Sequence, residues 1–162
     1  MESGDTKRAA DFIKLDNGSE WAAYAMPSLL LREGKIDDAR EAVSKMDTSL
    51  RHRRDLIEAC LGVRPYSEAQ QIAHEAETTP PAVPDAELIY YEGAIFADCG
   101  LKPAAFHMLQ SAIEQNYCAY SNLQLDPMLR KIRHTPGFDK LLEAAKECQQ
   151  ASLAPTSDNP VP

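Results

Sequence analysis

Apolar residues recur along the chain at the three- and four-residue spacing of a helix buried on one side, in pairs of stretches broken by glycine or proline. From Glu20 to Met46 the leading stretch carries Ala23, Met26, Leu30 and Leu31 and ends at Gly34, and Ile36, Ala39, Val43 and Met46 form the return. The second pair has Leu56, Ile57 and Cys60 leading and Tyr66, Ala69, Ala73 and Ala76 returning. The stretch from Thr78 to Pro84, with three prolines, closes it as a connecting loop, because proline lacks an amide hydrogen and disfavours helix in the residue before it. The third pair opens near Asp85, with Ile89, Gly93 and Phe96 leading, a turn at Gly100, and Ala105, Leu109 and Ala112 returning. A helix pair of this kind cannot bury its apolar face alone, so the pattern predicts stacked repeats.

The ends read differently. Asp5 to Asp16 has the stripe of a lone return helix, Ala9, Phe12, Ile13 and Leu15, with no leading helix before it. This half-repeat suggests a chain cut from a longer array. After Tyr117 the pairing stops. Asp126 is expected to cap a short helix that has Pro127 at its first position. Thr135-Pro136 then starts a last helix, with Phe138, Leu141, Leu142 and Ala145 turned inward and Lys140, Glu143 and Lys146 turned to water. The expected organisation is a half-repeat over 1–17, three helix pairs over 18–118, a capping segment over 119–150 and a disordered tail over 151–162, rich in Pro, Ser and Asn.

These pairs resemble tetratricopeptide repeats, whose pattern runs W-x2-L-G-x2-Y, a glycine turn, A-x3-F and a closing proline. Gly34-x4-Ala39-x3-Val43, Tyr66-x2-Ala69-x3-Ala73 with Pro81 beyond, and Gly93-x6-Gly100-x4-Ala105-x3-Leu109-x2-Ala112 carry the likeness. Ala39, Ala69 and Ala105 recur at intervals that bracket the period of about 34 residues. Two departures stand out. Pro27 is expected to bend the first helix or delay its start, and Arg64 stands where the second turn should have glycine. The resemblance implies an all-α fold, a right-handed superhelix of antiparallel helix pairs with C-terminal capping helices. The ending L-D-P-x-L-x-x-I-R-x-x-P-x-F-x-x-L-L, from Leu125 to Leu142, is similar to the segment that closes bacterial arrays attached to kinases, cyclase-like modules or winged-helix regulators. It implies the C-terminal sensory or scaffolding part of such a regulator.

Composition narrows the function. A formal charge of -8 repels phosphate backbones and anionic membranes, so neither nucleic acid nor membrane is an expected partner. No apolar run approaches the roughly 20 residues of a membrane span, and Met1 to Lys14 is too polar for a secretory signal, so the chain is expected to be soluble and cytoplasmic. Cys60, Cys99, Cys118 and Cys148 form no C-x-x-C pair and read as buried or free thiols. His52, His74, His107 and His134 are scattered, and neither a metal nor another cofactor is assigned.

In the family that the chain resembles, the leading helices line a concave groove where peptides or helices dock. Counting from the apolar stripes places Trp21, Tyr24 and Ser28, then Arg51, Arg54 and Glu58, then Glu87, Tyr90 and Ala94 on that inner face. Trp, Tyr and Arg are the residue types that dominate interface energetics. The Arg51 to Arg54 run reads equally as a solvated helix start paired with Asp55 and Glu58, and Trp21 and Tyr24 read equally as packing against the half-repeat. Nucleophile elbows, phosphate-binding loops and dinucleotide turns are absent from the sequence, and acidic pairs such as Asp37-Asp38 read as solvated surface. The expected function is therefore a protein-interaction scaffold, with self-association as the alternative and an enzyme of unknown class behind both.

Overall fold

The computed structural model describes residues 19–78 and 85–153, together with Asp11, Ile13, Leu15 and Asp16. Its elements are helical: α1 (Glu20–Arg32), α2 (Ile36–Ser44), α3 (Arg51–Cys60) entered through a 3-10 turn (Thr48–Leu50), α4 (Tyr66–Thr78), α5 (Ala86–Cys99), α6 (Lys102–Glu114), α7 (Tyr120–Leu125), a 3-10 segment (Pro127–Lys131) and α8 (Pro136–Leu153). The fold is all-α, with no strand among the described residues. The expected N-terminal half-repeat lies outside the described residues, except that Asp11, Ile13 and Leu15 are helical. The proline loop at 79–84 also lies outside them. Of the tail expected over 151–162, Ala151 to Leu153 belong to α8 and the rest lie outside the described residues.

The three helix pairs form as the pattern requires, α1 with α2, α3 with α4 and α5 with α6, and the packing between α5 and α6 is the most extensive. Each leading helix ends in the same way. Gly34, Gly62 and Gly100 all take positive φ, 73°, 73° and 84°. Past each leading helix the amide of the next residue reaches back to the helix, Lys35 to Leu30 O, Val63 to Glu58 O and Leu101 to Phe96 O, all at 2.9 Å. The glycine amides bond to Leu31, Ala59 and Ala97 O, which completes a Schellman turn three times. The second turn glycine is thus Gly62, not the position of Arg64. Arg64 and Pro65 lengthen that turn before α4 begins. Asn116, with φ 70°, closes α6 by the same pair of bonds, Asn116 N to Ile113 O and Tyr117 N to Ala112 O.

Pro27 neither delays nor ends α1, which starts at Glu20 behind the Ser19 cap and runs to Arg32. Pro27 itself is buried within the helix. Ala39, Ala69 and Ala105, the marker alanines, are fully buried. Gly93 serves the same end: a Cβ there would meet Leu109 Cγ at 3.0 Å and Leu109 N at 3.2 Å, so α5 lies directly on α6. In α1 the buried residues are Ala22, Pro27, Ser28 and Leu29, one step round from the expected stripe of Ala23, Met26, Leu30 and Leu31. Ile36 and Tyr66, expected inside, are exposed.

The C-terminal segment does more than cap. Asp126 caps the 3-10 segment through Met128 N, and that segment packs chiefly on α5 while also touching α1. In α8, Phe138, Leu141 and Ala145 face inward as expected, and the helix packs on α6 and α7. The cysteines overturn the reading as free thiols. Cys60 is bonded to Cys99 and Cys118 to Cys148, with Cα separations of 5.3 Å and 5.2 Å inside the range that a disulfide spans. Cysteine spacing carries no sign of this, because each partner lies on a different helix or loop and is brought close by packing.

Candidate functional site

Side chains from α1, α3 and α5 meet in one continuous strip. Trp21 stacks on Tyr24 one turn further along α1, with ring centroids 5.7 Å apart, and remains 49% exposed. The Arg53 guanidinium of α3 lies 3.9 Å from the centroid of the Tyr24 ring, and it donates to Tyr24 Oη (3.0 Å) and Ser28 Oγ (2.6 Å). Beside it, His52 approaches Glu92 of α5 at 3.3 Å, and Glu87 accepts from Tyr91 Oη at 2.6 Å. Arg32 closes the strip, with its guanidinium 5.5 Å from the Tyr91 ring centroid.

Two buried arginines organise this region in different ways. Arg32 donates through Nε (3.1 Å) and Nη2 (2.7 Å) to Asp126 Oδ2, and both side chains are only 4% exposed. Tyr90 Oη donates to the same oxygen at 2.9 Å, and Met128 N donates to Oδ1 at 3.0 Å. Burial alone would push the Arg32 guanidinium down, but the Asp126 carboxylate more than offsets it and the pKa stays above its ordinary value. Burial, reinforced by Asp126, holds the Tyr90 phenol well above its usual range.

Arg53 is the opposite case. It is 6% exposed, its hydrogen-bond partners are neutral hydroxyls, and no carboxylate forms an ion pair with it among the described residues. Its Nε has no partner. Burial therefore lowers its pKa, and the face of Tyr24 supplies part of the compensation. Burial likewise raises the Tyr24 phenol, against the pull of Arg53. His52 is 58% exposed at its side chain, and its hydrogen bond to Glu92 raises its pKa.

The expected inner face is only partly realised. Trp21, Tyr24 and Glu87 lie on the strip. Ser28, Tyr90 and Ala94 are buried in the core, where no partner reaches them. Arg51, Arg54 and Glu58 belong elsewhere, in an ion cluster where α3 meets α4. There Asp55 stands 3.5 Å from Arg51, 3.8 Å from Arg54 and 3.3 Å from Arg64, while Arg64 also pairs with Glu68 (2.6 Å) and Glu58 (3.7 Å). The alternative reading of the arginine run, as a helix start paired with acids, describes Arg51 and Arg54. His52, Tyr91 and Glu92 lie on the strip outside the expected set, and the buried Arg53 and Arg32 support it from beneath. A helix turns about 100° per residue, so an error of one position carries a side chain from the strip into the core.

A small cleft of about 20 Å³ lies beside Arg32, lined also by Tyr90, Tyr91, Asn122 and Asp126. It falls below the 300–1,000 Å³ typical of small-molecule pockets. Compared with protein families, curated proteins and solved structures, the chain matches none. No described helix is long and apolar enough to cross a membrane.

Proposed function

We propose that this chain is a tetratricopeptide-like interaction scaffold that takes an extended or helical segment of a partner protein along the strip formed by α1, α3 and α5. The observation that carries this reading is the strip itself. An exposed tryptophan stacked on tyrosine, a half-exposed histidine paired with glutamate, and a tyrosine beside an arginine run continuously across three helices. Aromatic side chains offer large contact area at low entropic cost, which suits them to docking rather than to chemistry. The three Schellman-turned pairs and the buried marker alanines support the helix-pair array.

Trp21 is the sole tryptophan, so its emission reports on the strip. A peptide library displayed on phage and selected on the immobilised protein should converge on a sequence that shifts Trp21 emission on titration. Trp21→Ala should weaken that peptide at least tenfold, read by calorimetry, with the helical circular dichroism unchanged. Convergence on a peptide indifferent to Trp21→Ala would remove the strip from the proposal. Tyr90, being buried, is unsuitable for such a test.

A further inference from the structure

All four cysteines are consumed in two crosslinks, and no free cysteine remains. Four cysteines allow three pairings, and the fold brings Cys60 to Cys99 and Cys118 to Cys148. Cys60 ends α3 and Cys99 ends α5. These two helices belong to different pairs and touch far less than the partners within a pair do. The bond ties their C-terminal ends, and Tyr66 Oη donates to Cys99 O at the same junction, at 3.1 Å. Cys118, in the loop after α6, holds Cys148 in the middle of α8, so the last helix is fastened to the third pair.

We propose that this protein folds and works in an oxidising compartment, with both bonds closed as structural staples, and that Cys60–Cys99 sets the spacing of α3 and α5. Disulfides persist in secreted, periplasmic and luminal proteins and are kept open by reductants in the cytosol, so complete use of the cysteines weighs against the cytoplasmic expectation. Each bond closes by thiol–disulfide exchange. One cysteine thiolate attacks the disulfide of a donor protein or of oxidised glutathione. That attack breaks the donor disulfide and frees one donor sulfur as thiolate. The second cysteine thiolate then breaks the mixed disulfide and frees the other, so the donor takes up the two electrons and its two sulfurs take up the two protons lost by the cysteines. Because His52 and Arg53 lie on α3 and Tyr91 and Glu92 on α5, the staple also fixes the width of the strip between them. The bonding itself is independent of whether the strip docks a partner.

The test traps thiols in the cells that make the protein: acid quench, alkylation under denaturing conditions with and without prior reduction, then mass spectrometry of the full chain and its peptides. The expected result is no label before reduction, four labels after it, and crosslinked peptides joining Cys60 to Cys99 and Cys118 to Cys148. Four labels without reduction would overturn the compartment, and a mixed pairing such as Cys60 to Cys118 would overturn the staples. For the spacing, Cys60→Ser with Cys99→Ser should speed amide exchange at the ends of α3 and α5 at least tenfold, with α8 unaffected. Unchanged exchange there would show that packing, not the bond, holds the two helices.

Discussion

Asp126→Asn keeps the shape of the side chain and removes its charge where four donors converge, two from Arg32 and one each from Tyr90 and Met128. The amide cannot satisfy them all. If its oxygen faces Arg32 and Tyr90, its NH2 is aimed at the Met128 amide, and the reverse orientation sets it against three donors. In either case the Arg32 charge is left buried without a counter-ion. Breaking one side of a buried ion pair costs about 3–5 kcal/mol. At about 2–4 °C per kcal/mol for a chain of this size, the melting temperature should fall by about 6–20 °C. Urea denaturation followed by far-ultraviolet circular dichroism measures the loss directly, with an unchanged slope showing that the unfolding remains one transition. Arg32→Met should cost a comparable amount, and the double variant should cost less than the two added together by about 0.5–3 kcal/mol, since the partners are coupled. A loss below about 1 kcal/mol for Asp126→Asn, or strict additivity, would refute the account of the C-terminal segment as locked to α1 and α5 through this carboxylate.

Three further outcomes follow from the geometry. Gly93→Leu should destabilise by more than about 3 kcal/mol or unfold the third pair, and Gly93→Ala by about 1–2 kcal/mol, because even a methyl meets Leu109 at 3.0 Å and overpacking outweighs the better helix propensity of alanine; urea denaturation distinguishes them. Arg53→Lys should cost about 1–3 kcal/mol in the same assay, since an ammonium cannot reach the Tyr24 and Ser28 hydroxyls with the planar fork that guanidinium provides. The His52 ring should titrate by NMR above the ordinary histidine value, and Glu92→Gln should bring it back. The sign follows from linkage: a raised folded pKa contributes stability that is complete below the unfolded value near 6.5 and is lost as pH rises through the folded value, an effect kept small here by solvent screening.

The fold was legible wherever local chemistry dictates it. Gly34 and Gly100 announce their turns because a left-handed backbone suits glycine, and Ala39, Ala69 and Ala105 mark fully buried positions on the return helices. Asp126-Pro127 and Thr135-Pro136 likewise announce helix starts. The site was harder to read, for a physical reason. Helix α5 is apolar around most of its circumference, so periodicity does not say which side faces α6, and Tyr90 is buried while its neighbour Tyr91 reaches the surface. In the Arg51 to Arg54 run the three arginines look alike, and only packing selects Arg53 for burial beneath Tyr24. Asp126 was recognised as a cap, but nothing near it in the chain signals an arginine 94 residues away. The disulfides were hidden in the same manner, since pairing across helices leaves no mark on cysteine spacing.

The docking strip is tested most directly by amide chemical-shift mapping of the full chain as a selected peptide ligand is titrated in. Shifts concentrated at Trp21, Tyr24, His52, Glu87, Tyr91 and Glu92, with the outward residues of α2, α4 and α8 unmoved, are the result predicted. Shifts gathered on α2 and α4, or on α8, with Trp21 and Tyr91 silent, would contradict it.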